Sequence, residues 1–66
     1  MKQHSVLTIN KEGQVIYEGL HLTAAGAYEE YNKNIALIKK FVKKDEEFTV
    51  VRVNEGAVMT METIKG

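Results

Sequence analysis

The feature that most constrains this chain is one run of apolar residues at helical spacing, set between segments that read as strands. Ala24, Tyr28, Tyr31, Ile35, Ile38 and Val42 follow one another at alternating intervals of four and three. Residues so spaced lie on one stripe of an α-helix. Thr23 is suited to cap that helix, its hydroxyl accepting from an otherwise orphaned N–H of the first turn. Lys39, Lys40, Lys43 and Lys44 load the far end, where cations complement the helix dipole, so the helical pattern is expected from Thr23 to Lys44. Gly26 weakens the first turn by up to about 1 kcal/mol relative to alanine. Glu29 stands four residues before Lys33, the spacing of a modest outer-face pair.

On either side the period shortens. Val6-Leu7-Thr8-Ile9 and Val15-Ile16-Tyr17 read as strands joined by Asn10-Lys11-Glu12-Gly13, with asparagine to start the turn and glycine for its left-handed position. Phe48-Thr49-Val50-Val51-Arg52-Val53 and the stretch from Val58 to Ile64 read as a second pair. Asn54-Glu55-Gly56 between them is expected to form a three-residue loop, a type I turn with a glycine bulge. The fold class that follows is α+β: ββαββ, a four-stranded antiparallel sheet of two hairpins with one long amphipathic helix packed on one face. Residues 1–66 make one domain, near the lower size for independent folding.

A sheet has two faces and one helix covers only one of them. Phe48 and Val50 alternate with Val51 and Val53, and Val58 and Ile64 with Ala57, Met59 and Met61, so both faces carry apolar residues. A half-wetted sheet should alternate more cleanly with polar residues. Leu37 and Phe41 also lie to one side of the helix stripe. This surplus predicts a homo-oligomer or a protein partner.

Composition narrows the partners. No cysteine occurs, which removes disulfides and thiolate metal sites and fits a cytoplasmic protein, and His4 and His21 alone make a poor zinc site. No metal or cofactor is expected. Nine basic residues balance nine acidic ones, so no global positive field draws nucleic acid. Val6-Leu7-Thr8-Ile9 is too short to cross a membrane.

Few residues suggest chemistry. His4 and Ser5 are adjacent, but consecutive strand residues point to opposite faces and make no dyad. The carboxylates are scattered and form no recognisable acid–base pair, so no catalytic residue is assigned and no enzyme is expected. His21, Thr23, Ala24, Ala25 and Gly26 lead into the helix N-terminus, where free N–H groups could hold an anion such as a nucleotide. The simpler reading is a capped helix whose alanines pack on the sheet. Lys33, Lys39, Lys40, Lys43 and Lys44 could meet nucleic-acid phosphates, although Glu29 and Glu30 begin the same outer surface with the opposite sign and no aromatic residue interleaves. Tyr28 and Tyr31 read chiefly as core, their hydroxyls at its rim. Met59 and Met61 are equally suited to core filling and to contact.

The order of elements resembles that of several small phage-encoded proteins that bind and block host machinery, an inhibitor of bacterial RNA polymerase among them. The likeness covers layout and no motif, and it implies an inhibitory, phage-like or mobile-element origin. The expectation is a non-catalytic protein that self-associates and binds a partner through Leu37, Phe41, Met59 and Met61, with Tyr17 and Tyr31 as aromatic anchors. An oligomeric binder of a small anion at the helix N-terminus stands second, and weak nucleic-acid binding third.

Overall fold

The computed structural model describes residues 3–66, and its elements run β1 (His4–Asn10), β2 (Val15–His21), α1 (Ala24–Phe41), β3 (Glu47–Asn54) and β4 (Ala57–Lys65). The four strands form one antiparallel sheet in the order β2-β1-β3-β4, with α1 on one face. The expected ββαββ fold is present. β1 and β3 are its central strands, and α1 carries the chain from the β2 edge over β1 to β3.

Local chemistry explains the boundaries. The Asn10 side chain accepts from the N–H groups of Glu12 and Gln14, and Gly13 takes φ +85°, closing a three-residue loop against β2. The second hairpin differs from expectation. Asn54 pairs with Ala57, and Glu55 and Gly56 both have positive φ, so the loop is a two-residue turn of the I′ kind. Thr23 caps α1 as expected, its Oγ1 accepting from Gly26 N–H at 3.1 Å. The helix ends at Phe41, with Val42 in extended geometry as its cap. Lys39 and Lys40 therefore occupy the last turn, while Lys43 and Lys44 lie beyond it.

Each hairpin contains a bulge, and each bulge changes a face. On β2, Ile16 is the extra residue between the pairs Thr8–Tyr17 and Ile9–Val15, and it joins Tyr17 on the helix side. On β4, Met59 is extra between Arg52–Thr60 and Val53–Val58. That shift puts Val58 on the side opposite Ile64, where unbroken alternation had them together.

The core lies between α1 and the middle of the sheet. Val6, Val50 and Ile64 meet Ala27, Tyr31 and Ile35, with Ile38 and Val42 packed against them. The helix stripe was read correctly from Tyr31 onward. At its start Ala27 rather than Ala24 is buried, and Tyr28 is half-exposed beneath the Arg52 guanidinium, 5.1 Å from the ring centroid.

Candidate functional site

The strand register sorts the sheet into two faces. Toward α1 stand the cross-strand rows His21–His4–Asn54, Gly19–Val6–Arg52–Thr60, Tyr17–Thr8–Val50–Glu62 and Asn10–Phe48–Ile64. Away from it stand Leu20–Ser5–Val53–Val58, Glu18–Leu7–Val51–Met61 and Val15–Ile9–Thr49–Thr63. With the terminal pair Glu47–Lys65 on the same side, eight of fourteen outward positions are apolar, and the charges are Glu18 on an edge strand and that pair at one end. Among the described residues no element covers this face. Val51 at its centre is only 5% exposed, shielded by Leu7 and Met61 beside it, whereas Met61 itself is 59% exposed.

The helix side is held at its margins by polar contacts. Glu30, expected on the outer surface of the helix, turns toward β2. Its Oε2 accepts from the Tyr17 hydroxyl, and its Oε1 lies 2.8 Å from His21 Nε2. Gly19 makes room for it: a methyl group there would land on the carboxylate. Partial burial pushes the Glu30 carboxyl up, but the hydrogen bonds from Tyr17 and His21, with the charges at His21 and Lys33, outweigh this and hold it below the ordinary carboxylate range. The Tyr17 hydroxyl is raised, first by donating to Glu30, then by burial and by the carboxylate's charge. On the β4 side Lys39 Nζ reaches Glu62 at 3.0 Å. The expected Glu29–Lys33 pair does not close among the described residues.

A trough remains between the second half of α1 and β2. Ile16, Leu37, Ile38, Phe41, Val42 and Phe48 line about 480 Å³ of open space above Thr8, and a smaller recess of about 200 Å³ continues it past Tyr17 and Asn34. Ile16, Leu37 and Phe41 are each about half-exposed or more. At its other end the trough opens between the first turn and the link from α1 to β3.

The residues singled out from sequence therefore separate. Leu37 and Phe41 are together on the trough. Met61 belongs to the uncovered sheet face, and Met59 stands at the bulge. Tyr31 is 7% exposed and packs in the core, so it offers no surface anchor, and Tyr17 is committed to Glu30. At the helix N-terminus, Gly26 N–H is spent on Thr23, His21 on Glu30, and a carboxylate adjoins the recess that an anion would enter. Ala24 and Ala25 are exposed rather than packed on the sheet. Of the helix lysines, Lys39 is paired with Glu62 and Lys40 lies over the Phe41 ring at 5.6 Å. His4 is buried on the helix side with its Nδ1 lacking a partner, and Ser5 faces the other way. Sequence reading missed Glu30 and Gly19. The signal available was a glycine inside a strand, which marks a close approach.

Among the described residues no helix is long and apolar enough to cross a membrane, and no cluster of ligating side chains could hold a metal ion. No family model matches the chain, and no curated protein or solved structure is similar enough to it to count as a match, so the resemblance in layout to phage inhibitors gains no support.

Proposed function

We infer that this is a small non-catalytic interaction protein that pairs with a second copy through the uncovered face of its sheet and also binds a protein partner. The observation that carries the reading is an inversion of the usual pattern. An antiparallel sheet with one solvated face puts its polar residues there; here the solvated face is the more apolar of the two. A contiguous apolar surface of this kind marks an interaction site.

The second copy fits the face better than other occupants. With Glu18 on an edge strand and the Glu47–Lys65 pair at one end, the centre of the face carries no charge, so a two-fold rotation there buries no like-charged pair, and the same patch serves both sides. Strand spacing and rise give roughly 450 Å² of flat area per protomer, so about 900 Å² for a pair. Side-chain relief raises the accessible area above that flat figure, toward the lower range of stable interfaces at about 1,200 Å². A small chain without disulfides also gains most from such support. The same reading puts the protein in the cytoplasm, where a chain with no thiol needs no oxidising compartment.

The test is light scattering on the wild type and on Met61→Glu. Met61 is 59% exposed in the protomer, so the substitution leaves the fold intact while placing a charge on the β4 side of the face, directly beside its central residue Val51. The expected result is a wild-type dimer and a monomeric variant with unchanged circular dichroism. A wild type that remains monomeric at high concentration would remove the reading.

A further inference from the structure

The second apolar surface, the trough between α1 and β2, faces the other way from the sheet's open side and has its own chemistry. Asn34, Leu37, Ile38 and Phe41 follow one another at helical spacing along one wall, and Ile16, swung inward by the bulge, forms the other. The trough is open along its length. Small-molecule sites bury about 70–90% of their ligand's surface, which walls as exposed as Phe41 (66%) and Ile16 (55%) do not provide. A segment of polypeptide that is apolar on one side and wet on the other matches such walls.

The mouth supplies a sign. Glu12, Asp45, Glu46 and Glu47 gather there against Lys11 and Lys43. Glu46 already accepts from the Lys43 N–H at 2.7 Å, Glu47 lies 3.8 Å from Lys65, and Lys11 reaches the Asp45 carbonyl. The carboxylates of Glu12 and Asp45 form no ion pair among the described residues. The ammonium groups of Lys11 and Lys43 are likewise outside any ion pair among the described residues, but four carboxylates against these two and Lys65 leave the mouth net negative, which favours a basic side chain at that end of its occupant.

We propose that this trough receives an amphipathic segment of a partner protein, its large apolar residues lying between Ile16 and the Leu37–Phe41 ridge and a lysine or arginine meeting Glu12 and Asp45. This rests on the partner-binding half of the function inferred above. It stands apart from pairing through the sheet, because the two use opposite sides of the domain.

Two fluorescent amphipathic peptides with the same leucine face, one ending in lysines and the other in glutamates, test it by anisotropy against the full chain. The lysine-ended peptide should bind at least about tenfold more tightly. Phe41→Ser should abolish binding, with Leu37→Ser as the second variant should the first fail to fold. Glu12→Gln combined with Asp45→Asn should erase the preference while leaving residual binding. Equal binding of the two peptides would overturn the proposal, as would binding indifferent to both wall variants. A change in molecular mass in Phe41→Ser would assign the trough to a second copy instead, and saturable binding of dodecylammonium without either peptide would assign it to a small amphiphile. Loss of dimerisation in Met61→Glu with peptide binding retained would separate the two surfaces. A monomeric wild type that still discriminates the peptides would remove the pairing and keep this site.

Discussion

Under the helix the sheet carries histidine, arginine, glutamate and threonine around a small apolar centre; on the side that no described residue covers, leucine, valine, isoleucine and methionine hold most positions. The two faces show that polarity and burial are separate properties. The covered face tolerates polar groups because α1 answers most of them: Glu30 takes Tyr17 and His21, Lys39 takes Glu62, and Tyr28 lies against Arg52. A polar group that keeps a partner costs little when it leaves water. The polar groups of the open face lie toward its ends and edges, where Thr49 meets Thr63 and Glu47 meets Lys65, and what its centre lacks is an apolar neighbour.

The sharpest way to break this comparison is to truncate one side chain on each face and measure urea unfolding at several protein concentrations. Ile35→Ala opens a void in the covered core and should cost about 2–4 kcal/mol. A 66-residue chain has roughly 3–10 kcal/mol of total stability, so this variant is expected to lose a large share of it and to unfold at a markedly lower urea concentration. Leu20→Ala on the open face removes a side chain already 59% exposed in the protomer. In a lone protomer it should cost within about 0.5 kcal/mol. In a face-to-face pair the cost should grow with concentration, because dissociation is then part of unfolding. A small, concentration-independent effect would leave the open face merely wet.

The margin of the covered face offers a finer test. Gly19→Ala places a methyl group on the Glu30 carboxylate and should displace it from Tyr17 and His21, costing about 1–2 kcal/mol. In a Glu30→Ala background the same change should be neutral or slightly favourable, since glycine inside a strand is weak in itself. The double-mutant cycle thus isolates the contact. Its pH dependence has two limbs. Glu30 is shifted down by folding, so its contribution is complete above the ordinary carboxylate range and disappears as pH falls through the lowered folded value. Tyr17 is shifted up, so its contribution is complete below the ordinary phenol range and disappears as pH rises through the raised value. Stability profiles of wild type and Glu30→Gln should therefore differ most between those ranges and converge in acid.

Much of this was legible in the residues. Helical spacing located the Tyr31-to-Val42 stripe, Thr23 marked the cap, and turn residues marked both hairpins. Alternation even disclosed the apolar surplus. Bulges were not legible: nothing in Val15-Ile16-Tyr17 or Val58-Met59-Thr60 says that one residue will go unpaired, yet each extra residue moved a side chain to the other face. Nor could spacing along the helix show that Glu30 faces inward. Its position on the margin depends on how far α1 lies from β2, a tertiary distance that Gly19 permits but does not announce.

The smallest expected effect concerns the opposite margin. Lys39 and Glu62 meet at 3.0 Å, a shorter separation than many ion pairs, but their side chains are 59% and 42% exposed. Water screens both charges, and holding two long side chains in one arrangement costs entropy, so Lys39→Ala should change stability by about 0.5 kcal/mol or less. High salt should abolish even that difference, while leaving the Tyr17–Glu30 contribution, which is a hydrogen bond from a neutral donor, nearly intact. If salt instead weakened the two margins equally, the Glu30 cluster would be acting through net charge rather than through directed bonds. Its glycine seat would then be incidental, and the account of why the covered face can be so polar would have to rest on the Val6–Val50–Ile35 centre alone.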